Sequence, residues 1–158
     1  MRQSATITVD AAPAVVFDLV AGDLMAVDDD PDAMTGHRPV TDGPLRAGFR
    51  WRQRVIHNRQ ECGAEWCVTE VERPRVLEQT MVHFCADAQR EYRGGERWEF
   101  VSADAGRTLV ALRSWRAARG LTGWLERFLG EGPRSAHAIS LKQRLAYVQF
   151  EAERRSRD

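Results

Sequence analysis

The residue with the clearest potential for chemistry in this 158-residue chain is a histidine in a strand-like segment. Between Val76 and Cys85, every second residue lies on the same face, which carries Leu77, Gln79, Met81, His83 and Cys85. Apolar bulk, an amide and an imidazole on one face are typical of a pocket wall. Imidazole changes charge near neutral pH, so His83 is a candidate proton shuttle for aldol and dehydration steps. The alternative is a hydrogen-bonded histidine without chemistry, and the opposite face is nearly as apolar, so the inward face stays open.

Two further side chains are candidates to stabilise the negative charge that such chemistry develops. Arg113 lies inside the strand-like segment Thr108 to Ala117 and could bind a ligand carboxylate or enolate. Tyr92, at the entrance of a strand, is a possible hydroxyl donor. The alternatives are an arginine that pairs with Glu99 on a neighbouring strand and a tyrosine at the rim of the pocket.

Aromatic side chains are abundant, and four of the five tryptophans fall in predicted strands. Indole rings provide stacking partners for a flat aromatic ligand, although they also fill protein cores. Between Phe49 and His57, one face carries arginines and the other carries Phe49, Trp51, Gln53 and His57. We expect the second face to point inward, because the arginines suit a solvated surface.

Composition and charge exclude several classes of protein. With 43% hydrophobic and 29% charged residues, residues 1–158 are predicted to form one globular domain. The 23 Lys and Arg residues balance the 23 Asp and Glu residues, so no net field attracts nucleic acid. The longest apolar stretch, Ala11 to Phe17, is far shorter than the ~20 residues of a membrane helix. Because the N-terminus lacks a secretion signal, we expect a cytoplasmic protein without membrane insertion.

Metal and cofactor sites are not expected. Asp28 to Asp32 with His37 have the composition of a hard-cation site but lack the glycine and final glutamate of a calcium loop, which favours a solvated acidic loop. Cys62, Cys67 and Cys85 form no CxxC pair and are expected to be free thiols. The motifs of nucleotide-binding proteins, zinc proteases and serine hydrolases do not occur.

The elements that must position these residues begin with a strand around Ile7 and Val9. A helix then starts at Pro13, which suits a first helical position, and ends at Gly22. A second short helix is predicted near Asp23 to Asp28, followed by a loop rich in Asp, Gly and Pro that reaches Pro44.

The middle of the chain predicts an antiparallel meander, because its connections are too short for parallel crossovers. The predicted strands are Phe49 to His57, Ala64 to Val71, Val76 to Cys85, Arg97 to Ser102 and Thr108 to Ala117. A helical apolar patch then covers Leu121 to Leu129, and Arg134 to Arg155 predicts a long helix whose apolar stripe includes Leu141 and Leu145.

Four segments in this order resemble the START-like or SRPBCC helix-grip superfamily over nearly the whole chain. The segment Ile7 to Val20 is similar to its strand, its small-Pro helix start and its Val-Phe pair. Pro44 to Phe49 resembles its Pro, Leu and Gly entry into a strand, and Val68 to Leu77 resembles its Pro-Arg hairpin. Leu141 to Leu145 resembles its terminal-helix signature. The acidic run Asp28 to Asp32, in place of an aromatic residue around the second helix, is a departure that predicts an unusual pocket mouth.

The resemblance implies an α+β helix-grip fold, in which a curved antiparallel sheet grips the long last helix around an internal cavity. The ligand would be a hydrophobic, aromatic or polyketide-like small molecule, and no cofactor is implied. The candidate ligand-binding residues are Trp51, Gln53, His57, Trp66, Gln79, Met81, Trp98, Phe100, Trp115, Leu141 and Leu145.

Three functions are compatible with this resemblance, because fold alone does not decide function. The first is a polyketide cyclase or dehydratase in which His83 transfers protons and Arg113 or Tyr92 stabilises an enolate. The second is a non-catalytic carrier or a drug-sequestering self-resistance protein. A chaperone-activator-like interaction module is the weaker third. The chain is expected to be a monomer or a homodimer.

Overall fold

The structure of the chain is a computed structural model that describes residues 2–28, 35–57, 60–85, 92–118 and 136–157. The strands are β1 (Arg2–Val9), β2 (Thr35–Pro39), β3 (Arg50–His57), β4 (Gln60–Glu72), β5 (Val76–Cys85), β6 (Tyr92–Ser102) and β7 (Thr108–Ala118). The helices of the described ranges are α1 (Pro13–Met25) and α2 (Ala136–Arg155), with a single 3₁₀ turn at Asp104–Gly106.

The seven strands form one antiparallel sheet in the order β1-β7-β6-β5-β4-β3-β2. Strands β3 to β7 follow one another as hairpins, as their short connections predict. The first strand pairs with the last, and the sheet is curved but not closed, so that β1 and β2 are its edges. The predicted helix-grip fold is confirmed.

The long helix α2 fills the concave side of the sheet. Its buried residues repeat at helical spacing and form one stripe: Leu141, Leu145, Val148 and Ala152. Gln149 at its side donates a hydrogen bond to the Thr8 carbonyl of β1 at 3.2 Å, which fixes the helix against the sheet edge.

The inward face of β3 is the predicted one, and the inward face of β5, which the sequence left open, is that of Leu77 and Gln79. Trp51 is buried in β3 and Phe49 is buried immediately before this strand, and Leu77 and Gln79 are buried on β5. In β7 the buried face carries Val110, Leu112 and Ser114. Arg113 therefore lies on the outer face of the sheet.

The segment after the first helix differs from the prediction. Helix α1 continues through Gly22 to Met25, and the residues up to Asp28 are not helical, so the predicted second short helix is not formed there. A helical glycine costs about 1 kcal/mol, and the burial of Leu24 in the core offsets it.

Part of the predicted loop is a strand. Thr35–Pro39 forms the edge strand β2, in which His37 lies opposite Gln53 of β3 and also makes an isolated bridge with Asp28. The segment is a strand because pairing with β3 supplies its backbone hydrogen bonds. Its Gly- and Pro-rich composition does not predict this pairing. Residues 29–34, which include most of the acidic run, and the predicted patch over 121–129 lie outside the described residues.

The cysteines differ from the expectation of three free thiols. Cys62, which lies opposite Cys85 in the β4–β5 register, is disulfide-bonded, whereas Cys67 is free. The prediction of a free thiol at Cys62 is wrong, because the register of β4 and β5 could not be known from the spacing of the cysteines.

No helix in the described ranges combines the length and the apolar character that crossing a lipid bilayer requires.

Candidate functional site

A cavity of about 470 Å³ lies between the sheet and the first half of α2. Strands β3 to β7 contribute to its wall, and Ser140, Leu141 and Arg144 close it from the helix. The predicted ligand-binding residues that line it are Trp51, Gln53, Trp66, Met81, Trp115 and Leu141. His83, the predicted proton-transfer residue, lines the same cavity.

One wall of the cavity is a stack of aromatic rings. Trp51 and Trp66 face each other across β3 and β4 with their ring centroids 5.1 Å apart and their planes within 1° of parallel. His37 of β2 stacks on Trp51 at 4.4 Å and continues the row to the sheet edge. Met81 lies beside Trp66 in the register of β4 and β5. This wall offers flat, apolar contact of the kind that an aromatic ligand uses.

A buried carboxylate lies in the centre of the sheet. Glu96 of β6 is almost completely inaccessible to solvent, and its two oxygens accept hydrogen bonds from several donors. Gln79 Nε2 donates to Oε1 at 2.7 Å, and Trp98 Nε1 donates to the same oxygen at 3.0 Å. Gln79 in turn accepts a hydrogen bond from Trp51 Nε1 at 2.8 Å, so the network reaches the aromatic wall.

Arg144 of α2 completes this network. Its Nη1 lies 2.5 Å from Oε2 of Glu96 and its Nη2 lies 2.8 Å from Oε1, which is a planar two-pronged ion pair between helix and sheet. The guanidinium also lies over the ring of Trp98, 5.1 Å from the centroid.

The ion pair holds both groups in their charged forms. Burial alone would raise the pKa of Glu96, but the charge of Arg144 and the hydrogen bonds from Arg144, Trp98 and Gln79 lower it below its ordinary value. Burial alone would lower the pKa of Arg144, and Glu96 raises it. Glu96 is therefore a fixed anion whose oxygens are already occupied, and it is unsuited to act as a base.

His83 has the opposite electrostatic character. It is half-buried at the cavity, opposite Ala64 of β4. Burial lowers the pKa of His83, and the positive charge of Arg116 on β7 lowers it further. The neutral imidazole, which is the form that accepts a proton, therefore predominates at neutral pH.

The other predicted ligand-binding residues take different positions. Gln79 and Trp98 are buried in the network around Glu96, and Trp98 borders a second, smaller cavity. Phe100 and Leu145 belong to the hydrophobic core and do not line the main cavity. The side chains of His57 and Tyr92 lie outside what the structure describes.

Arg113 does not have the position that its predicted role requires. Its side chain is 61% exposed on the outer face of the sheet, and its Nη2 lies 3.1 Å from Glu99. The alternation of β7 places it there, because the neighbouring residues Leu112 and Ser114 point inward. The cross-strand pair that the sequence analysis gave as the alternative is present, and Arg113 does not reach the cavity.

Trp115 occupies an unusual place on the outer face. A Cβ atom added to Gly95 would lie 2.3 Å from Cζ2 of Trp115, so the indole covers the glycine directly. Trp115 also reaches the edge of the main cavity, next to Ser114 and Arg116.

Glu96 and Arg144 belong to the site but are not among the residues that the sequence predicts for it. A signal was present for Glu96, because it shares its face of β6 with Trp98 and Phe100, and a carboxylate among inward-facing aromatic residues is rarely buried without a partner. Arg144 lies three residues after Leu141, so it is on the same side of α2 as the buried apolar stripe. A charged residue at that position is the corresponding signal on the helix.

In the part of the chain that the structure describes, no three His, Cys, Asp or Glu side chains come together in a way that could hold a metal ion. The structure does not describe residues 29–32, which belong to the acidic run considered above for a cation.

The architecture defines the class of the chain. It has a helix-grip fold: a curved antiparallel sheet, a long C-terminal helix and a cavity between them. No family model matches the sequence. No curated protein matches it either.

Individual solved structures share this fold at low sequence identity. An aromatase/cyclase, Zhui from Streptomyces sp. R1128, matches with a TM-score of 0.64 and 18% identity, over 99% of this chain and 95% of that one. Ara h 8.0201 matches with a TM-score of 0.62 and 12% identity, over 97% and 95%. A START superfamily protein from Mycobacterium smegmatis matches with a TM-score of 0.53 and 13% identity, over 98% and 95%. At these identities the likeness shows the fold alone.

Proposed function

We propose that the protein binds a hydrophobic, aromatic or polyketide-like small molecule in the main cavity and acts on it as a polyketide cyclase or dehydratase. The observation that carries the proposal is that His83 opens onto the same cavity as the parallel Trp51 and Trp66 rings. The aromatic wall suits a planar or ring-forming ligand, and the neutral imidazole suits proton transfer. The structural likeness to an aromatase/cyclase is consistent with this chemistry.

The proposed reaction uses His83 twice. Its neutral imidazole removes a proton from a carbon between two carbonyl groups, and the resulting enolate carbon attacks a carbonyl carbon of the same chain. The new alkoxide takes this proton back from the His83 imidazolium and becomes a hydroxyl, which leaves His83 neutral again. In the dehydration, His83 removes a second carbon proton, and the hydroxyl leaves as water with a proton from the imidazolium. Tyr92 and His57 are further proposed contacts of the ligand.

The test separates binding from chemistry with a His83→Gln variant. Binding of a polycyclic probe such as 2-naphthol is measured by quenching of tryptophan fluorescence, and we expect its Kd to change less than tenfold. Turnover of a poly-β-keto thioester should fall about a hundredfold or more, which is the loss typical of a general acid or base. In the wild type the rate should also fall when the pH drops toward the pKa of His83, which lies below the ordinary value of 6.5, because protonation of His83 removes the base.

Lys142→Gln, on an exposed position of α2, is the control and should leave binding and rate unchanged. Unchanged turnover in the His83→Gln variant would remove His83 from the mechanism.

A non-catalytic carrier or sequestering protein is the second candidate. It is favoured by the state of Glu96, the buried carboxylate of the cavity floor, because its oxygens are occupied by Gln79, Trp98 and Arg144 and cannot take a proton from a substrate. Tight binding of polycyclic probes without product from any poly-β-keto substrate would favour the carrier over the enzyme.

A further inference from the structure

Arg144 has more hydrogen-bond donors than its ion pair uses. A guanidinium carries five N–H groups, and Glu96 accepts from one on Nη1 and one on Nη2. Among the described residues no second acceptor receives a hydrogen bond from Arg144. Three N–H groups, including the one on Nε, therefore make no hydrogen bond to the described residues and can bind another acceptor.

The exposure of the two partners is unequal. The side chain of Glu96 is 2% exposed, whereas that of Arg144 is 42% exposed. Arg144 lines the main cavity and also a second cavity of about 240 Å³ between α1, α2 and the β2–β3 edge. Trp51 borders both cavities as well, so Arg144 and Trp51 form the wall between them.

The geometry of Glu96 fits the role of a positioning residue. If Arg144 only attached the helix to the sheet, it would need the two N–H groups that bind the Glu96 carboxylate. It would not need an N–H group that is exposed. Glu96 is itself oriented by Gln79 and Trp98, and Trp98 also supports the guanidinium from one side. The Arg144 fork is therefore fixed in orientation before any ligand enters.

We propose that the cavity takes planar aromatic ligands that carry an acidic oxygen, and that Arg144 binds this oxygen while Glu96 holds Arg144 in place. The inference rests on the proposed function, because it names the ligand class of the same site. The parallel Trp51 and Trp66 rings bind the flat part of the ligand, and a carboxylate or enolate oxygen accepts hydrogen bonds from the donors that Glu96 leaves unused. In the enzyme, this contact stabilises the enolate while His83 transfers the proton.

The test compares two probes of nearly equal shape, naphthalene-2-carboxylate and its methyl ester, by quenching of tryptophan fluorescence at pH 7.5. The wild type should bind the carboxylate at least tenfold more tightly than the ester, as expected for one charge-assisted hydrogen bond. Replacing Arg144 alone leaves Glu96 as an unpaired buried charge, so the main variant is Glu96→Gln with Arg144→Gln, which removes both charges together. This double variant should bind the two probes within threefold of each other and bind the ester as the wild type does.

Two further variants keep the inference falsifiable. Arg144→Lys keeps the charge but loses the planar fork, and it should reduce the preference for the carboxylate at least threefold even if the double variant does not fold. Arg116→Gln changes the other arginine at the cavity and should leave the preference unchanged.

Four results would overturn the inference. Equal affinities of the wild type for the two probes would do so, as would a preference that stays above threefold in the double variant or that is not reduced in Arg144→Lys. If the preference is lost in Arg116→Gln, the acidic oxygen binds at Arg116, at the rim of the cavity, and not at Arg144. Each of these leaves aromatic binding in place, whereas a folded wild type that binds neither probe contradicts the proposed function itself.

Discussion

Glu96 illustrates how a single residue can serve both the fold and the site. Transfer of a carboxylate into a sheet interior costs several kcal/mol, and this cost is offset only by a close partner and a full set of hydrogen bonds. Arg144, Gln79 and Trp98 supply them from a helix and two strands. The same contacts hold an arginine at the cavity in one orientation, so the stability of the core and the chemistry of the cavity depend on one ion pair.

The charge of Glu96 makes stability depend on pH. Its folded pKa lies below the ordinary value of 4.5, so its contribution is complete above about pH 4.5 and is lost as the pH falls toward the lowered pKa. Urea unfolding between pH 7 and pH 3 should show a decline of the unfolding free energy below pH 4.5 in the wild type. The decline should be smaller in Glu96→Gln, which cannot titrate. An equal decline of the unfolding free energy in the two proteins would contradict the conclusion that Glu96 has a lowered pKa in the folded state.

At the scale of elements, close packing of β6 on β7 depends on glycine. A Cβ at Gly95 would lie 2.3 Å from the Trp115 ring and 2.6 Å from the backbone oxygen of Gln79, and the oxygen cannot move without breaking the sheet ladder. This approach lets Trp115 lie flat on the outer face.

Gly95→Ala should therefore lower the unfolding free energy by about 1–3 kcal/mol, measured by urea denaturation. Gly22→Ala is the matched control: Gly22 lies on the exposed side of α1 with nothing within 4 Å of an added Cβ. Alanine there should stabilise by about 0.5–1 kcal/mol, because it favours the helix. Equal effects at the two sites would show that Trp115 does not cover Gly95 as described.

Helix α2 is held to the sheet by its apolar stripe as well as by Arg144. Leu145 lies in the middle of this stripe and is 2% exposed. Leu145→Asp should destabilise the protein by about 3 kcal/mol or more, because it places an unpaired charge in the core. Ala146→Asp, one residue further on the exposed side, is the control and should change stability little. A melting temperature for Leu145→Asp equal to that of the wild type would mean that α2 does not pack on the sheet.

At the scale of the whole molecule, the cavity is a property of the assembled fold. Its wall comes from five strands and one helix, so the unfolded chain has no equivalent binding site. Any ligand of the cavity therefore binds the folded state selectively and stabilises it by mass action.

A polycyclic probe at a hundred times its Kd should raise the unfolding free energy by about 2.7 kcal/mol, observed as a higher melting temperature. Ala64→Phe should abolish this rise, because Ala64 is a small, buried residue of the cavity wall between Gln53 and His83. Val82→Phe, on the outer face of β5, is the control and should keep the rise. A rise that persists in Ala64→Phe would place the probe elsewhere.

Local pattern alone determined much of this protein. Period-two alternation predicted the strands and the inward position of Trp51, the Pro13 start predicted α1, and the stripe through Leu141 and Leu145 predicted the packing of α2. These features depend on neighbours in the sequence, and the resemblance of four segments to the helix-grip superfamily joined them into the correct fold.

Tertiary structure decided what depends on partners distant in the chain. The edge strand β2 exists because β3 pairs with it, and the disulfide state of Cys62 depends on the strand beside it. The inward face of β5 and the outward position of Arg113 followed from the sheet as a whole. The Glu96–Arg144 pair spans 48 positions and lies where sheet and helix meet, so neither residue's own surroundings in the sequence could show that they bind each other.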